Sequence, residues 1–493
     1  MTTTATAAVP SAELLRSLGV PETVGAFIDG SRADGGGERL AVEDPATEET
    51  LAHLQEATDG TVQQAVESAT TAARAWAATP GAERGRVLVA VAQALRGDGE
   101  RLAQIESVDT GKPLSQARRD VEVSAQYFEY FAGLADKVTG TYLPPSEGTW
   151  GYTSREPYGV VAHITPWNSP LNQMSRGVAP CLAVGNAVVV KPSEITPLST
   201  VAAAELFVQA GLPAGLLNVV LGRGPSTGAR LVGDPRVGHV TFTGSVRTGK
   251  AILATAAQRV VGCNLELGGK SPTIVMPDAD LDAAARAGAM AVVRNSGQSC
   301  FATTRMVVHA DVVDRFVEKV CATVRDYRVG RGLDDPDLGP LVSGPHLDKV
   351  IGMVEEAVRQ GAVLATTGAA RPDRTGHFLQ PIVLRSPSND LTVAREEVFG
   401  PVQTVLTFTD EDEAVALAND STYGLAAGVF TRDLATAHRL ARRLEAGHIQ
   451  VNRYPMSRVD APFGGYKQSG IGREKGEQAL DAYTRLKTVL VSD

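Results

Sequence analysis

The chain has 493 residues, and its 47 Lys and Arg against 56 Asp and Glu give a formal net charge of −9. This charge disfavours nucleic acid or an anionic membrane surface as a partner. The longest apolar run, Leu182 to Val190, is too short to span a bilayer. Four dispersed cysteines exclude a disulfide framework, show no metal-ligand spacing and indicate a cytoplasmic protein. At about 150 residues per domain, the length allows about three domains.

The N-terminal third begins with a polar stretch, Met1 to Ala8, which predicts a frayed tail rather than a signal peptide. Two short strands follow, at Ala26 to Gly30 and Leu40 to Val42, joined by a turn-rich stretch. Apolar residues at spacings of three and four then predict one layer of amphipathic helices: Thr61 to Ala78, Arg84 to Leu95 and Leu102 to Val108. Paired prolines at 144 and 145 end this pattern and predict an extended connection to Tyr152.

From Gly159 short apolar strands alternate with helices, which predicts parallel sheets built from βαβ units. The strands of the first cycle are predicted at Val160 to Ile164, Ala187 to Val190, Leu217 to Leu221 and His239 to Phe242. A second cycle runs from Thr273 to Phe430. The fold class is therefore α/β with two lobes, and the boundary is predicted near Gly268-Gly269.

Three turns after strands are candidate cofactor contacts. The turn from Gly222 to Gly228, which includes Gly224, is one residue longer than the dinucleotide fingerprint, so an ordinary loop is the alternative. The turn around Gly244 and Ser245 precedes a helix, whose N-terminal amides can bind a pyrophosphate. Lys191-Pro192-Ser193-Glu194 follows a strand and can bind a ribose, although a solvated charged turn is the alternative.

Three polar side chains are candidates for catalysis. Cys300, in a small polar stretch, is a candidate nucleophile, although a lone cysteine is more often a small core residue. Glu266 lies between leucines, where an apolar setting would suit a general base; a salt bridge to Lys270 is the alternative. Asn168 follows a strand and can donate to an oxyanion, or it is a turn asparagine.

Seven segments belong together by order and spacing: Pro166-Trp167-Asn168, Lys191-Pro192-Ser193-Glu194, Phe242-Thr243-Gly244-Ser245, Glu266-Leu267-Gly268-Gly269-Lys270, Gly297-Gln298-Ser299-Cys300, Glu396-Glu397-Val398-Phe399-Gly400-Pro401 and Pro462 to Gly470. In these segments the chain resembles the NAD(P)-dependent aldehyde dehydrogenase superfamily, from about Phe27 to Leu490. The resemblance implies a Rossmann-type cofactor lobe, an α/β catalytic lobe and a small oligomerisation β-arm. It places NAD binding in residues 1–137 and 157–267, catalysis in 268–470, and oligomerisation in 138–156 and 471–493, with a homodimer or homotetramer expected.

By the same resemblance, Cys300 attacks an aldehyde, Asn168 holds the oxyanion, and Glu266 activates water to hydrolyse the thioester to a carboxylic acid. Glu474 matches an acidic family position near the catalytic centre. A carboxylate at Glu194 would repel a 2′-phosphate, which predicts NAD rather than NADP. The implied cofactor contacts are Thr165, Pro166, Trp167, Lys191, Ser193, Glu194, Gly224, Phe242, Gly244, Ser245, Leu267, Glu397 and Phe399.

The substrate positions depart from the aromatic side chains of many relatives. The candidates are Ser169, Asn172, Arg176, Phe301, Ser457 and Phe463. An arginine such as Arg176, Arg453 or Arg458 predicts a polar or carboxylate-bearing aldehyde and disfavours betaine aldehyde. If these arginines are solvated or paired with acids such as Asp460, a broad aliphatic or aromatic specificity is the alternative. A cysteine hydrolase and a non-catalytic protein on this fold are the rival classes.

Overall fold

The computed structural model describes residues 10–366 and 373–492. The predicted frayed tail, Met1 to Ala8, lies outside these described residues. Within them no helix is both long and apolar enough to cross a membrane. Two large sheets, each covered by helices, and a smaller antiparallel sheet make up most of the fold. The α/β fold class and the parallel βαβ units predicted from the sequence are confirmed.

The first large sheet has eight strands, and its five central strands are parallel. Ala187–Lys191 is buried along its whole length, which explains its nearly continuous run of valines. In spatial order the strands are Gly470–Ile471, Gly262–Leu267, Val237–Gly244, Val160–Ile164, Ala187–Lys191, Leu217–Val219, Ala26–Ile28 and Ser31–Ala33.

Helices and a small sheet surround this first sheet. Thr58 caps the first long helix by accepting a hydrogen bond from the Thr61 amide. The helices are Ser11–Ser17, Asp59–Ala78, Gly81–Gly97, Gly99–Thr110, Leu114–Ala132, Pro170–Ala183, Leu198–Gln209, Ala229–Gly233 and Val246–Ala257. The small sheet has the order Thr23–Val24, Thr50–Ala57 and Gly36–Glu43.

The second large sheet has seven strands, of which six are parallel. Its spatial order is Val363–Leu364, Ile382–Arg385, Val402–Phe408, Arg305–His309, Pro272–Val275, Ala426–Phe430 and His448–Val451. The helices that follow Gly268-Gly269 are Leu281–Val293, Val313–Arg325, Gly344–Arg359, Thr392–Arg395, Glu411–Asn419, Leu434–Arg443 and Gln478–Ala482. The chain passes from the first sheet to the second between Leu267 and Pro272.

A third sheet, here called the arm, is antiparallel and consists of Tyr142–Ser146, Thr149–Pro157 and Thr484–Ser492. Two short strands, Tyr423–Gly424 and Tyr466–Lys467, form a separate pair. The arm joins the C-terminus to the predicted extended connection, and large apolar side chains such as Trp150, Leu486 and Leu490 are exposed on it.

Several elements differ from the sequence prediction, including one strand and one long helix near the site. Ser31–Ala33 is a strand rather than a turn, because it pairs antiparallel with Ala26–Ile28. Leu114–Ala132 is a long helix that was not predicted, although Val121, Ala125 and Phe128 follow helical spacing and are buried. This second difference matters because that helix supplies one wall of the site described next.

Candidate active site

Two pockets meet at Cys300, and Cys300, Asn168 and Gln173 line both. The pocket here called the cofactor-side pocket lies against the first sheet. It is also lined by Pro166, Trp167, Thr243, Gly244, Ser245, Glu266, Gly268, His346, Lys349, Glu397 and Phe399. The second pocket is here called the substrate-side pocket, and its further lining is Lys112, Gln116, Arg119, Asp120, Val123, Tyr127, Ser169, Asn172, Arg176, Arg294, Asn295, Gln298, Ser299, Phe301, Ser457, Phe463 and Lys475.

A tight turn delivers Cys300 to the junction of the pockets. Asn295, Ser296 and Gly297 all have left-handed backbone angles, with φ of 47°, 55° and 73°. A Cβ at Gly297 would overlap the carbonyl oxygen of Gly400, so the turn requires glycine there. Consecutive left-handed residues are costly and persist where the surroundings hold them, which is common at active sites.

Asn168 and Asn295 hold this turn in place. The Asn168 side-chain amide donates to the Gln298 carbonyl at 2.9 Å, while the Asn295 amide donates to the Asn168 carbonyl at 2.8 Å. The Gln116 side chain accepts from the Asn295 backbone amide at 2.9 Å. Asn168 therefore positions the cysteine loop, and the second hydrogen of its amide is left for another acceptor.

The Cys300 thiol is in a setting that disfavours its charge. Burial raises its pKa to about 12, and the nearby Arg176 guanidinium opposes that rise. The free thiol is therefore protonated at neutral pH, and a base must accept its proton for it to react. Cys181 and Cys321 pack among apolar side chains, as the sequence predicts, and Cys263 packs at the edge of the first core.

Glu266 lies on the strand Gly262–Leu267 and is buried at 3% exposure. Neither carboxylate oxygen has a hydrogen-bond partner among the described residues, and the same is true of the Lys270 ammonium. The alternative in which Glu266 pairs with Lys270 is therefore wrong. Burial, and then the charge of Glu474, raises the pKa of Glu266 well above its usual value, which suits a group that must accept a proton.

Aromatic rings form one wall of the cofactor-side pocket. Trp167 meets the rings of Phe399 and His346 edge-on, with centroids 5.2 and 5.4 Å apart. Phe399 has a left-handed φ of 59°, and its carbonyl is a hydrogen-bond partner of His346 Nε2 at 2.8 Å. The Glu397 carboxylate accepts from the Gly269 amide at 3.0 Å, and burial raises its pKa to about 7.

The remaining candidate cofactor residues lie around this pocket rather than on its lining. Lys191 and Glu194 form an ion pair at 3.2 Å. The turn that contains Gly224 begins a π-helical segment, and a Cβ at Gly228 in that turn would lie 3.7 Å from Lys191. The other four are buried beside the strand ends or turns: Thr165, Ser193, Phe242 and Leu267.

All six candidate substrate residues line the substrate-side pocket, but Arg176 is not a free cation. Its guanidinium forms a buried ion pair with Glu474 and donates to the Thr243 hydroxyl at 2.9 Å. The expectation that Arg176 offers an unpaired charge to a substrate is therefore corrected. Arg453 and Arg458 do not line the pocket, and Arg458 pairs with Asp460 at 2.6 Å, as the alternative supposed.

Several residues of the site were not predicted from the sequence, and Asn295, Lys112 and Lys475 are the ones that matter most for its geometry and charge. The Asn295 side chain holds the cysteine loop by its hydrogen bond to Asn168. The sequence Asn-Ser-Gly is typical of a turn, so Asn295 could have been identified from it. Lys112 is buried with Glu106 and Asp120 and donates to the Ser169 hydroxyl at 3.2 Å. Lys475 lines the substrate-side pocket beside Glu474. Neither lysine has a local sequence signal, because its burial depends on distant segments.

Comparison with known proteins identifies similar chains. The model of the aldehyde dehydrogenase family matches residues 31–489. A provisionally assigned aldehyde dehydrogenase from Burkholderia cenocepacia is 43% identical, with 95% of this chain and 97% of that chain covered at a TM-score of 0.93. Betaine aldehyde dehydrogenase from Staphylococcus aureus, solved with NAD+, is 37% identical, with 98% and 97% covered at 0.94. Aldehyde dehydrogenase from Bacillus cereus, also solved with NAD+, is 39% identical, with 97% and 98% covered at 0.94.

Proposed function

Because the chain belongs to the aldehyde dehydrogenase family, we propose that it oxidises an aldehyde to its carboxylic acid with NAD. The observation that carries this proposal is the meeting of Cys300, Glu266 and Asn168 in one pocket. The test is to measure, by the absorbance of NADH, whether NADH forms when an aldehyde is added. The absence of NADH with every aldehyde tested would refute the proposal.

In the first step the Cys300 sulfur bonds to the aldehyde carbon and forms a thiohemiacetal. The thiol gives its proton to water, and the carbonyl oxygen gains negative charge. The free hydrogen of the Asn168 amide and the Cys300 backbone N–H stabilise that charge as it develops. The contact of Asn168 with the cysteine loop supports this role, because the same side chain fixes the nucleophile and faces the reacting atoms.

The residues of the cofactor-side pocket fit a dinucleotide. Next to Pro166 of this pocket, the buried Thr165 hydroxyl has no hydrogen-bond partner among the described residues. A Cβ at Gly244 would overlap the Phe242 ring, and one at Gly268 would overlap Glu397, so the packing of these two side chains requires glycine in both turns. Ser245 begins a helix whose N-terminal amides favour an anion. When bound, NAD would supply the acceptor for the hydride that the thiohemiacetal carbon loses as it becomes the thioester on Cys300.

Glu266 completes the reaction by hydrolysing the thioester on Cys300. It removes a proton from water, which attacks the thioester carbon; the acid leaves and the thiol is restored. Its oxygens have no hydrogen-bond partner among the described residues, and its raised pKa makes it a stronger base than a solvated glutamate. Members of the family that transfer the acyl group to coenzyme A generally lack this base, so hydrolysis is the expected outcome.

We propose that NAD is preferred over NADP because of Glu194. Lys191 and Glu194 stand together at the end of the strand Ala187–Lys191, where open α/β sheets bind ligands. The Glu194 carboxylate can accept from two ribose hydroxyls, whereas it would repel a 2′-phosphate. The Lys191 ammonium is neutralised by Glu194, so it offers that phosphate little compensation.

A polar or carboxylate-bearing aldehyde is the favoured substrate. Lys112, Arg119, Arg176, Arg294 and Lys475 all line the substrate-side pocket. Such a wall opposes a quaternary ammonium group, so betaine aldehyde is disfavoured although one relative is named for it. Broad aliphatic or aromatic specificity is the alternative. Comparison of succinic semialdehyde, benzaldehyde, hexanal and betaine aldehyde separates the two, because equal rates would reject a polar anchor.

The arm supports a homodimer or homotetramer. Tyr142, Trp150, Tyr152, Leu486 and Leu490 are exposed on its strands, and a second copy could cover them. Light scattering coupled to gel filtration would measure the assembly, and a monomer would contradict it.

The first large sheet is assigned to NAD binding and the second to catalysis. Four free cysteines support a reducing cytoplasm as its location.

A further inference from the structure

Lys475 is a buried lysine on the wall of the substrate-side pocket, and its side chain is held by a rigid turn. It is 4% exposed, and its backbone is left-handed with a φ of 61°. On one side of it, Glu474 and Phe463 exchange two backbone hydrogen bonds at 2.7 and 2.8 Å. On the other side, the Gly476 amide donates to the Val459 carbonyl at 2.9 Å. The direction of the lysine is therefore fixed by the fold.

The surroundings of the Lys475 ammonium leave its charge unbalanced. It donates to the Ser457 hydroxyl and lies 4.5 Å from the centroid of the Phe463 ring and 5.9 Å from that of Tyr127. Within 4.0 Å it has no carboxylate partner among the described residues. A hydroxyl and two rings stabilise an ammonium less than an anion does, so burial of this charge without an anion is unfavourable.

The other buried cations of the pocket are balanced. The Lys112 ammonium contacts the carboxylates of Glu106 and Asp120 at 2.9 and 2.7 Å. The Arg176 guanidinium is paired with Glu474. Lys475 therefore differs from its neighbours. Its ammonium has three N–H donors, and among the described residues the Ser457 hydroxyl accepts from one of them.

We infer that Lys475, together with the Ser457 hydroxyl, binds the carboxylate of an aldehyde substrate. Lys475 and Cys300 line the same pocket, so one molecule can place its carbonyl at the sulfur and its carboxylate at the ammonium. Lys475 is thus a specificity-determining residue for short aldehydes with a terminal carboxylate. This inference rests on the proposed function and names the residue that selects among its substrates.

The charge state of Lys475 gives a readout that a structural role would not move. Burial, and then Arg176, lowers its pKa to about 7, while Glu474, Cys300 and Glu266 raise it. Arg119 and Arg294 are the other cations of this pocket that have no carboxylate within 4.0 Å among the described residues, and Asp120 is the carboxylate on the pocket lining. Cys300 and Glu266 act on every aldehyde, so their titration cancels in a ratio of two substrates.

The experiment compares kcat/KM for succinic semialdehyde with kcat/KM for pentanal in the wild type, Lys475→Met, Lys475→Arg and the surface control Lys319→Met. We expect Lys475→Met to lower the value for succinic semialdehyde about 30-fold, mainly through KM, and to leave pentanal within about twofold. Lys475→Arg should retain most of the preference, and Lys319→Met should match the wild type. In the wild type the ratio should fall as pH rises through about 7.

An equal loss for both aldehydes in a folded Lys475→Met protein would overturn the inference in favour of a structural role. An unchanged ratio would overturn it as well. Circular dichroism and NADH formation from pentanal show whether the variant has folded. If the wild type forms NADH from pentanal without preferring succinic semialdehyde, the inference fails while the proposed function stands. If it forms NADH from neither of these aldehydes or the others in the panel, the proposed function fails.

Discussion

The two pockets that meet at Cys300 have walls of different kinds. The cofactor-side pocket is formed by turns at the ends of parallel strands and by the rings of Trp167 and Phe399. The substrate-side pocket includes five cationic side chains and one carboxylate in its lining, and two helices, Leu114–Ala132 and Pro170–Ala183, supply much of its wall. Backbone turns tolerate few substitutions, whereas a side chain can be exchanged without a change of fold. The first wall thus suits a constant ligand, and the second can vary with the substrate.

The largest effect is expected from removal of the thiol of Cys300, where the two pockets meet. We expect Cys300→Ala to lower aldehyde-dependent NADH formation about ten-thousand-fold, because no other group can form the thioester. NAD binding should persist, since the turns of the cofactor-side pocket are unchanged. Stopped-flow absorbance measures the activity, and quenching of protein fluorescence measures NAD binding. Appreciable turnover in this variant would show that another residue is the nucleophile.

A substitution on the cofactor side should separate the two halves of the reaction. In Glu266→Gln we expect a single-turnover burst of NADH to remain, while steady turnover falls about a hundredfold to ten-thousandfold. Rapid mixing resolves the burst from the steady rate. In the wild type the steady rate should rise with pH through the raised pKa of Glu266, because the base acts only when deprotonated. Loss of the burst itself would contradict this division of roles.

A substitution on the substrate side should affect stability as well as activity. Arg176→Met leaves the buried Glu474 carboxylate without its partner, so we expect the free energy of unfolding to fall by about 3 to 5 kcal/mol. Arg458→Met, which breaks an exposed pair with Asp460, should leave the free energy of unfolding close to that of the wild type. Denaturant titration followed by fluorescence compares them. If the Arg176→Met and Arg458→Met proteins were equally stable, the ion pair between Arg176 and Glu474 would not contribute to the stability of the fold.

The smallest expected effect concerns the far end of the cofactor site. Glu194→Gln should raise kcat/KM for NADP relative to NAD about tenfold, because it removes the charge that repels a 2′-phosphate. The control is Glu205→Gln, a carboxylate that pairs with Arg32 on the surface. Steady-state kinetics with both cofactors measures the ratio. A wild type that uses NADP as well as NAD would refute the role given to Glu194.

Much of the fold could be predicted from local patterns. The strands Val160–Ile164 and Ala187–Lys191 lie where short apolar runs predict them, and the chain changes sheets near Gly268-Gly269 as expected. The helix Leu114–Ala132 was missed although its buried face has helical spacing. In the site, Cys300 and Glu266 could be identified as candidate catalytic residues, because the short segments around them have turn residues and resemble those of the family. The pairing of Arg176 with Glu474 had no such local signal.

The sequence by itself determined the α/β class, the family and the candidate nucleophile and base, because periodicity and short turns are properties of neighbouring residues. The tertiary structure alone decided which charges are neutralised. Among the described residues Arg176 has a carboxylate partner and Lys475 has none, although both line one pocket. Charge balance depends on which distant segments pack together and exclude water, since burial makes an unpaired charge costly and a paired one tolerable. For this reason the proposed carboxylate-binding residue is Lys475 and not Arg176, which the sequence had suggested.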